Sequence, residues 1–161
     1  MGKRRVVITG LGTVNPVANN VPDYWAGLLS GKSGIARVTK FDAEPYPSKI
    51  GGEVKDFSGP PEDLIPAHEA KKLDWFSQFA VAAAAEAIKD CGIDFNSVDR
   101  NRCGVIVGSG IGGLQTLQEQ HKRMLDKGPT KSSPFTVPRL MGNAAGAHIG
   151  ILFGLGGPNF G

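Results

Sequence analysis

Two cysteines, three histidines, a glycine-rich turn and two groups of basic residues are the parts of this 161-residue sequence that could do chemistry. Cys91 and Cys103 have no metal or redox spacing and sit among apolar neighbours. Cys103 has no basic residue placed to make it a thiolate nucleophile. Both read as buried free thiols of a reducing cytoplasm. His68, His121 and His148 are scattered, and no two share a helix face at i, i+4, which argues against a metal site. No Ser, His and Asp combination stands out. Gly108, Gly110 and Gly113 spell GxGxxG, a turn whose amides can cradle a pyrophosphate at a helix N-terminus. A dinucleotide site also needs a second strand soon after, ending in an acid that holds the ribose. Here the following helix runs into GPTKSSPFTVP, and Asp126 lies at about the right distance but at a helix end. Lys71 and Lys72 form one basic group; Lys122, Arg123, Lys127 and Lys131 form another. They read either as solvated helix faces or as a docking surface for an acidic partner.

The elements that must position these residues follow from periodicity and punctuation. Arg5–Thr9 (RVVIT) is β-branched and bounded by Gly10 and Gly12, and reads as a buried strand. Val21–Leu29 reads as a helix capped by Asn20, with Pro22 in the first turn, Trp25, Leu28 and Leu29 on one face, and Gly31 as the stop. Lys49–Phe57 suits an edge strand, and Pro60, Pro61 and Pro66 mark a surface loop. Glu69–Asp90 carries the strongest helical pattern, with Gly92 as its stop. Cys103–Val107 reads as a second buried strand feeding the glycine turn. A helix over about Leu114–Leu125 follows, then a last helix through Leu140, Ala144, Ala147, His148 and Leu152. Asn159 and Phe160 look like the start of a further strand. Strand and helix alternating through glycine turns argues for an α/β layering that is incomplete in this chain.

Composition narrows the function classes. Hydrophobic residues make up 40% and charged residues 20%, as in an ordinary globular protein. The net charge of +3 is too small to argue for nucleic acid. No run of 18 apolar residues suggests a membrane span. The short apolar stretch Val6–Ile8 reads as a strand rather than a signal peptide, and Val6 stands where a myristoylation signal needs Ser or Thr.

The runs KRRVVITGLGTVNPV and YWAGLLSGKSGI, then GVIVGSGIGGL, KSSPFTVPRLMGNAAGAHIG and GLGGPNFG, resemble the ketoacyl synthases of the thiolase fold. The resemblance covers the whole chain in order and points to the type II, elongating condensing enzymes. It implies the N-terminal part of a thiolase-type α/β/α/β/α layered sandwich over residues 1–161. It also implies that the glycine turn faces an acyl pocket rather than a nucleotide.

What the resemblance implies for chemistry is a cysteine that takes an acyl group from acyl carrier protein. Malonyl carrier protein then loses carbon dioxide, and the carbanion attacks the thioester. In the family the cysteine comes a few residues after the turn that here is Gly157-Pro158, with two histidines and a lysine later still. No catalytic residue is therefore expected within these 161 residues, and the chain alone is expected to be inactive. Ile111 matches the residue that lines the acyl pocket and limits chain length, and Phe135 one that reaches the partner subunit's pocket. Lys71 and Lys72 match carrier-docking positions, and Lys131 does so more loosely. His68 and Thr130 stand where relatives often have a basic residue. The parent is expected to be a cytoplasmic homodimer, paired through the strand near Phe160, that needs no metal or other cofactor. Two rival readings remain: a non-catalytic, chain-length-setting subunit, and a small dinucleotide-binding protein.

Overall fold

The computed structural model describes residues 4–161. They form two compact units. The first takes the chain up to Ser58 together with Ala83–Ile93; the second takes Gly59–Ala82 together with Asp94–Gly161.

In the first unit, helix α1 (Val21–Leu29) starts where the Asn20 side chain accepts from the Asp23 amide at 2.8 Å, with proline in the first turn. Gly31, at φ +72°, follows its end. Trp25, Leu28 and Leu29 lie exposed. Strands β1 (Ile35–Arg37) and β2 (Ile50–Gly52) pair antiparallel with Ala36 opposite Gly51, so the expected edge strand over 49–57 is reduced to three residues. The Glu53 carboxylate then closes the loop after β1, accepting from the Thr39 amide and hydroxyl and from the Lys40 amide. These bonds, the Thr39 amide first, hold its carboxyl below the usual range.

Arg5–Thr9 is not a strand, and Val6 is 92% exposed. A β-branched run has the propensity, but a strand exists only when a neighbour completes its ladder, and no described segment pairs with this one. The chain becomes fixed just afterwards. A Cβ on Gly12 would lie 1.9 Å from the Ala83 carbonyl oxygen, so only glycine lets this segment reach helix α3 (Trp75–Cys91). Three amides then bind acids of that helix: Leu11 to Asp90, Thr13 to Glu86, and Val21, the first residue of α1, to the other oxygen of Glu86.

In the second unit the expected single helix over Glu69–Asp90 is two. Helix α2 covers Ala67–Ala70 only, a turn follows, and α3 begins at Trp75. The break has a cause in Asp74. Its side chain accepts from the Phe76 amide at 3.4 Å and its carbonyl from the Gln78 amide at 3.0 Å, which makes it the start of a new helix. The Gln78 side chain returns to the Leu73 carbonyl at 3.1 Å and satisfies the turn.

The expected buried strand Cys103–Val107 shortens to β3 (Val105–Ile106), with Val105 buried and Ile106 open to solvent. Helix α4 (Leu114–Lys127) follows the glycine turn, then a 3-10 turn at Pro129–Lys131 and helix α5 (Thr136–Leu140). The last expected helix is also divided, because Met141 leaves helical geometry at ψ +129° before α6 (Ala144–Phe153). Strand β4 (Asn159–Phe160) lies parallel to β3, Val105 opposite Asn159. Parallel strands joined through helices make this an α/β arrangement, as the sequence suggests. Val81, Ala145, Ile149, Val105 and Leu73 are its buried core.

Candidate functional site

The glycine loop between β3 and α4 is built in two halves. Around Gly108 and Gly110 there is open space. The other end is tightly held. Gly112 has φ +75°, and a Cβ there would lie 2.5 Å from the Leu140 carbonyl oxygen. Its amide donates to Ser109 Oγ at 2.9 Å. The Gly113 amide donates to the Leu140 carbonyl at 3.0 Å, and a Cβ on Gly113 would lie 2.6 Å from the Arg139 carbonyl oxygen and 2.8 Å from Asp74 Oδ2. Within the GSGIGG turn, residues 108–113, Ile111 is thus the only side chain larger than serine, and it is 69% exposed.

Phe135 sits at the other end of α5, directly before Thr136, and is also exposed. Its amide donates to Ser133 Oγ, and the Ser133 amide donates to Gln120 of α4. Ile111 and Phe135 therefore flank a five-residue helix, which spans about 7.5 Å at 1.5 Å per residue.

Lys71 closes α2 and Lys72 follows it, both exposed, three and two residues before Asp74. Lys72 Nζ lies 2.5 Å from Glu69 Oε1, and this contact holds the Glu69 carboxyl below its usual range. One of the two expected docking charges is thus partly matched within the chain. Asp74 Oδ2 accepts from Thr116 Oγ1 of α4, so the lysine turn and the glycine loop both meet the N-terminal end of α4. Lys131 lies beyond its C-terminal end, in the 129–131 turn. The chain then turns back along α4, where the Ser133 amide meets Gln120, so Lys131 stands four residues before Phe135 on the same return segment.

The Asp74–Thr116 contact was not anticipated from sequence, although an acid opening an apolar helical stripe is a helix-start signal. The remaining reactive residues behave as structure. Cys91, in the last turn of α3, donates to the Ile88 carbonyl, and Cys103 to the Asp99 carbonyl. Both thiols are free and half-buried rather than buried. His148 on α6 is half-buried, and desolvation pushes its imidazole below the ordinary value. Among the described residues no group of three or more His, Cys, Asp or Glu is placed to hold a metal, and no helix is long and apolar enough to cross a membrane. No strand follows α4 before β4 at Asn159, and Asp126 lies inside α4, so the second strand of a dinucleotide site is not where that motif requires it.

Residues 3–161 match the family model described as "Beta-ketoacyl synthase, N-terminal domain". The chain belongs to the β-ketoacyl synthase family. Among curated relatives, it is 43% identical over 157 residues to the 3-oxoacyl-[acyl-carrier-protein] synthase 2 of Synechocystis, covering 98% of this chain and 37% of that protein. It is 44% identical over 156 residues to the protein of the same name from Staphylococcus aureus strain COL, covering 97% of this chain and 37% of that one. This ketoacyl synthase chain therefore spans a little over a third of the length of those relatives.

The solved ishigamide ketosynthase/chain length factor superposes with a TM-score of 0.81 at 26% identity, covering 98% of this chain and 39% of that one. A β-ketoacyl synthase from Burkholderia phymatum does so with a TM-score of 0.76 at 21% identity, covering 98% and 38%. These likenesses identify the α/β arrangement as the N-terminal part of the thiolase-like ketosynthase fold.

Proposed function

We propose that this chain is the N-terminal part of a 3-oxoacyl-[acyl-carrier-protein] synthase of fatty-acid elongation. The whole enzyme would accept an acyl group as a cysteine thioester. Malonyl carrier protein would release carbon dioxide, and its carbanion would attack the thioester carbonyl, expelling the cysteine thiolate and lengthening the chain by two carbons. The nucleophile lies outside these residues on this reading. Cys91 and Cys103 both donate to backbone carbonyls, whereas an activated thiolate accepts from donors such as helix N-terminal amides. The 161 residues alone would then show only background condensation. The reading also places the enzyme in the cytoplasm as a homodimer, with Phe135 reaching the partner's pocket. An acyl carrier protein is its macromolecular substrate. One solved relative, at 22% identity and TM-score 0.69, covering 96% of this chain and 40% of that one, is a type II polyketide acyl carrier protein in complex with its ketosynthase. Lys71, Lys72 and Lys131 would meet that acidic partner.

The observation that carries the reading is Ile111. It projects from a loop of glycines and one serine whose C-terminal end cannot move back, because Gly112 and Gly113 already touch the Leu140 and Arg139 carbonyls. Its bulk would decide the free depth for an acyl chain. Each buried methylene is worth about 0.8 kcal/mol, so denying a site to four carbons costs roughly 3 kcal/mol, on the order of 100-fold. Ile111→Phe in the full-length enzyme should lower kcat/KM for a twelve-carbon primer far more than for a six-carbon primer. An unchanged ratio between the two would leave Ile111 an ordinary apolar residue.

The likeness to a ketosynthase/chain length factor favours one second reading, that of a non-catalytic subunit that helps set chain length. Condensation by the purified full-length protein, with no other synthase present, separates the two.

A further inference from the structure

Buried polar side chains are costly unless bonded, and their placement therefore carries information. Among the described residues the buried polar side chains are Asp74, Ser77, Gln78 and Thr116. All four lie at the start of α3 or of α4, and Asp74 and Thr116 join the two. Thr116 is 1% exposed and Asp74 5%. Gln78 is satisfied by the Leu73 carbonyl, while Ser77 Oγ has no partner. The Thr116 hydroxyl donates to Asp74 Oδ2 across 42 residues of sequence.

We propose that the Asp74–Thr116 pair is a positioning device for the glycine loop, and through it a determinant of acyl-chain selectivity. This rests on the reading of Ile111 as the pocket-limiting residue. Stability alone does not call for the pair, since apolar side chains of similar volume commonly serve a core as well as buried charged groups do. A hydrogen bond adds direction, which apolar contact lacks. Thr116 lies one turn into α4, so its bond to Asp74 fixes that helix end against the start of α3. Gly113 is held between Asp74 Oδ2 and the Arg139 and Leu140 backbone. The loop is thus anchored at its Gly112–Gly113 end. Around Gly108 and Gly110 it is open. Ile111 is the residue next to the anchored end, so its position follows the anchor.

The test uses the full-length enzyme and the ratio of kcat/KM for twelve- and six-carbon primers. Thr116→Val keeps shape and removes the donor; Thr116→Ser keeps the donor; Ile111→Phe controls for the pocket reading. Thr116→Val should move the ratio at least fivefold, and Thr116→Ser should keep it within twofold of the unmodified enzyme. If Thr116→Val proves insoluble, Thr116→Ala, which also lacks the donor, replaces it with the same expectation. A uniform fall in both rates with the ratio held would show an ordinary core role and overturn the proposal. If Ile111→Phe shifts the ratio and the donor-less variants do not, the anchor fails while the pocket reading stands. If Ile111→Phe leaves the ratio unchanged, the pocket reading falls and takes the anchor with it.

Discussion

Replacing Glu86 tests whether one carboxylate organises the first unit. Its two oxygens accept from the Thr13 amide at 2.9 Å and the Val21 amide at 2.7 Å, both part-buried. Val21 opens α1, so the negative charge also lies at the positive end of that helix. Glutamine at 86 keeps one acceptor but turns an NH2 group towards the other amide. One charge-assisted bond, worth about 1.5–3 kcal/mol, is lost, and a part-buried donor is left unpaired. Taking about 2 kcal/mol, the segment 11–21 should open roughly 30 times more often. Hydrogen exchange of the full-length protein, read on peptides covering 11–21, reports this local opening directly. Asp90→Asn is the internal comparison. The bond from Leu11 to Asp90 is solvent-exposed, so its loss should accelerate exchange by less than about threefold. If Glu86→Gln changes exchange in 11–21 by less than threefold, the carboxylate is not what holds this segment.

Two further outcomes follow from the same structure. Changing Lys71 and Lys72 together to Glu should raise KM for carrier-protein substrates several-fold, with an effect that shrinks as salt rises. Turnover of small thioesters should barely change, and equal damage to both substrates would refute docking. For His148, burial lowers the folded-state value below 6.5. The unfolded chain therefore binds the proton first on acidification, and stability should fall as pH drops below about 6.5 towards the folded value. Melting temperatures of wild type and His148→Asn between pH 7 and pH 5 should diverge, the variant losing less. Parallel curves would show that the imidazole does not contribute.

What was legible in the sequence was local. Asn20, Pro22 and Gly31 place α1 because capping and chain reversal depend on neighbours within one turn. The glycines around Ile111 disclose a loop with one projecting side chain for the same reason. The expectations that failed depend on distant partners. Arg5–Thr9 has strand composition, yet no described segment pairs with it. The pattern over 69–90 is continuous, but Asp74 restarts the helix through its bonds to the Phe76 and Gln78 amides, and what the sequence did not disclose is that a buried threonine 42 residues away holds its other carboxylate oxygen. Likewise Met141 interrupts the apolar run 140–152 next to Gly142, whose amide lies against the glycine loop. The site followed the same rule. Ile111 and Phe135 could be named singly, but α5 as their spacer required the fold.

The seam between α6 and β4 has a consequence on the evolutionary timescale. The Asn159 side chain donates to the Gly146 carbonyl at 2.9 Å, and a Cβ on Gly146 or Gly150 would lie 2.9 Å or 3.1 Å from that same amide group. The separation of helix and strand is therefore set by one side chain fitted over two missing ones. A methyl group gained at 146 pushes the Asn159 amide aside, at the expense of its bond to the Gly146 carbonyl, or favours a shorter side chain at 159. Each change at one of the three positions alters the cost of a change at the others, so they should vary as a linked set.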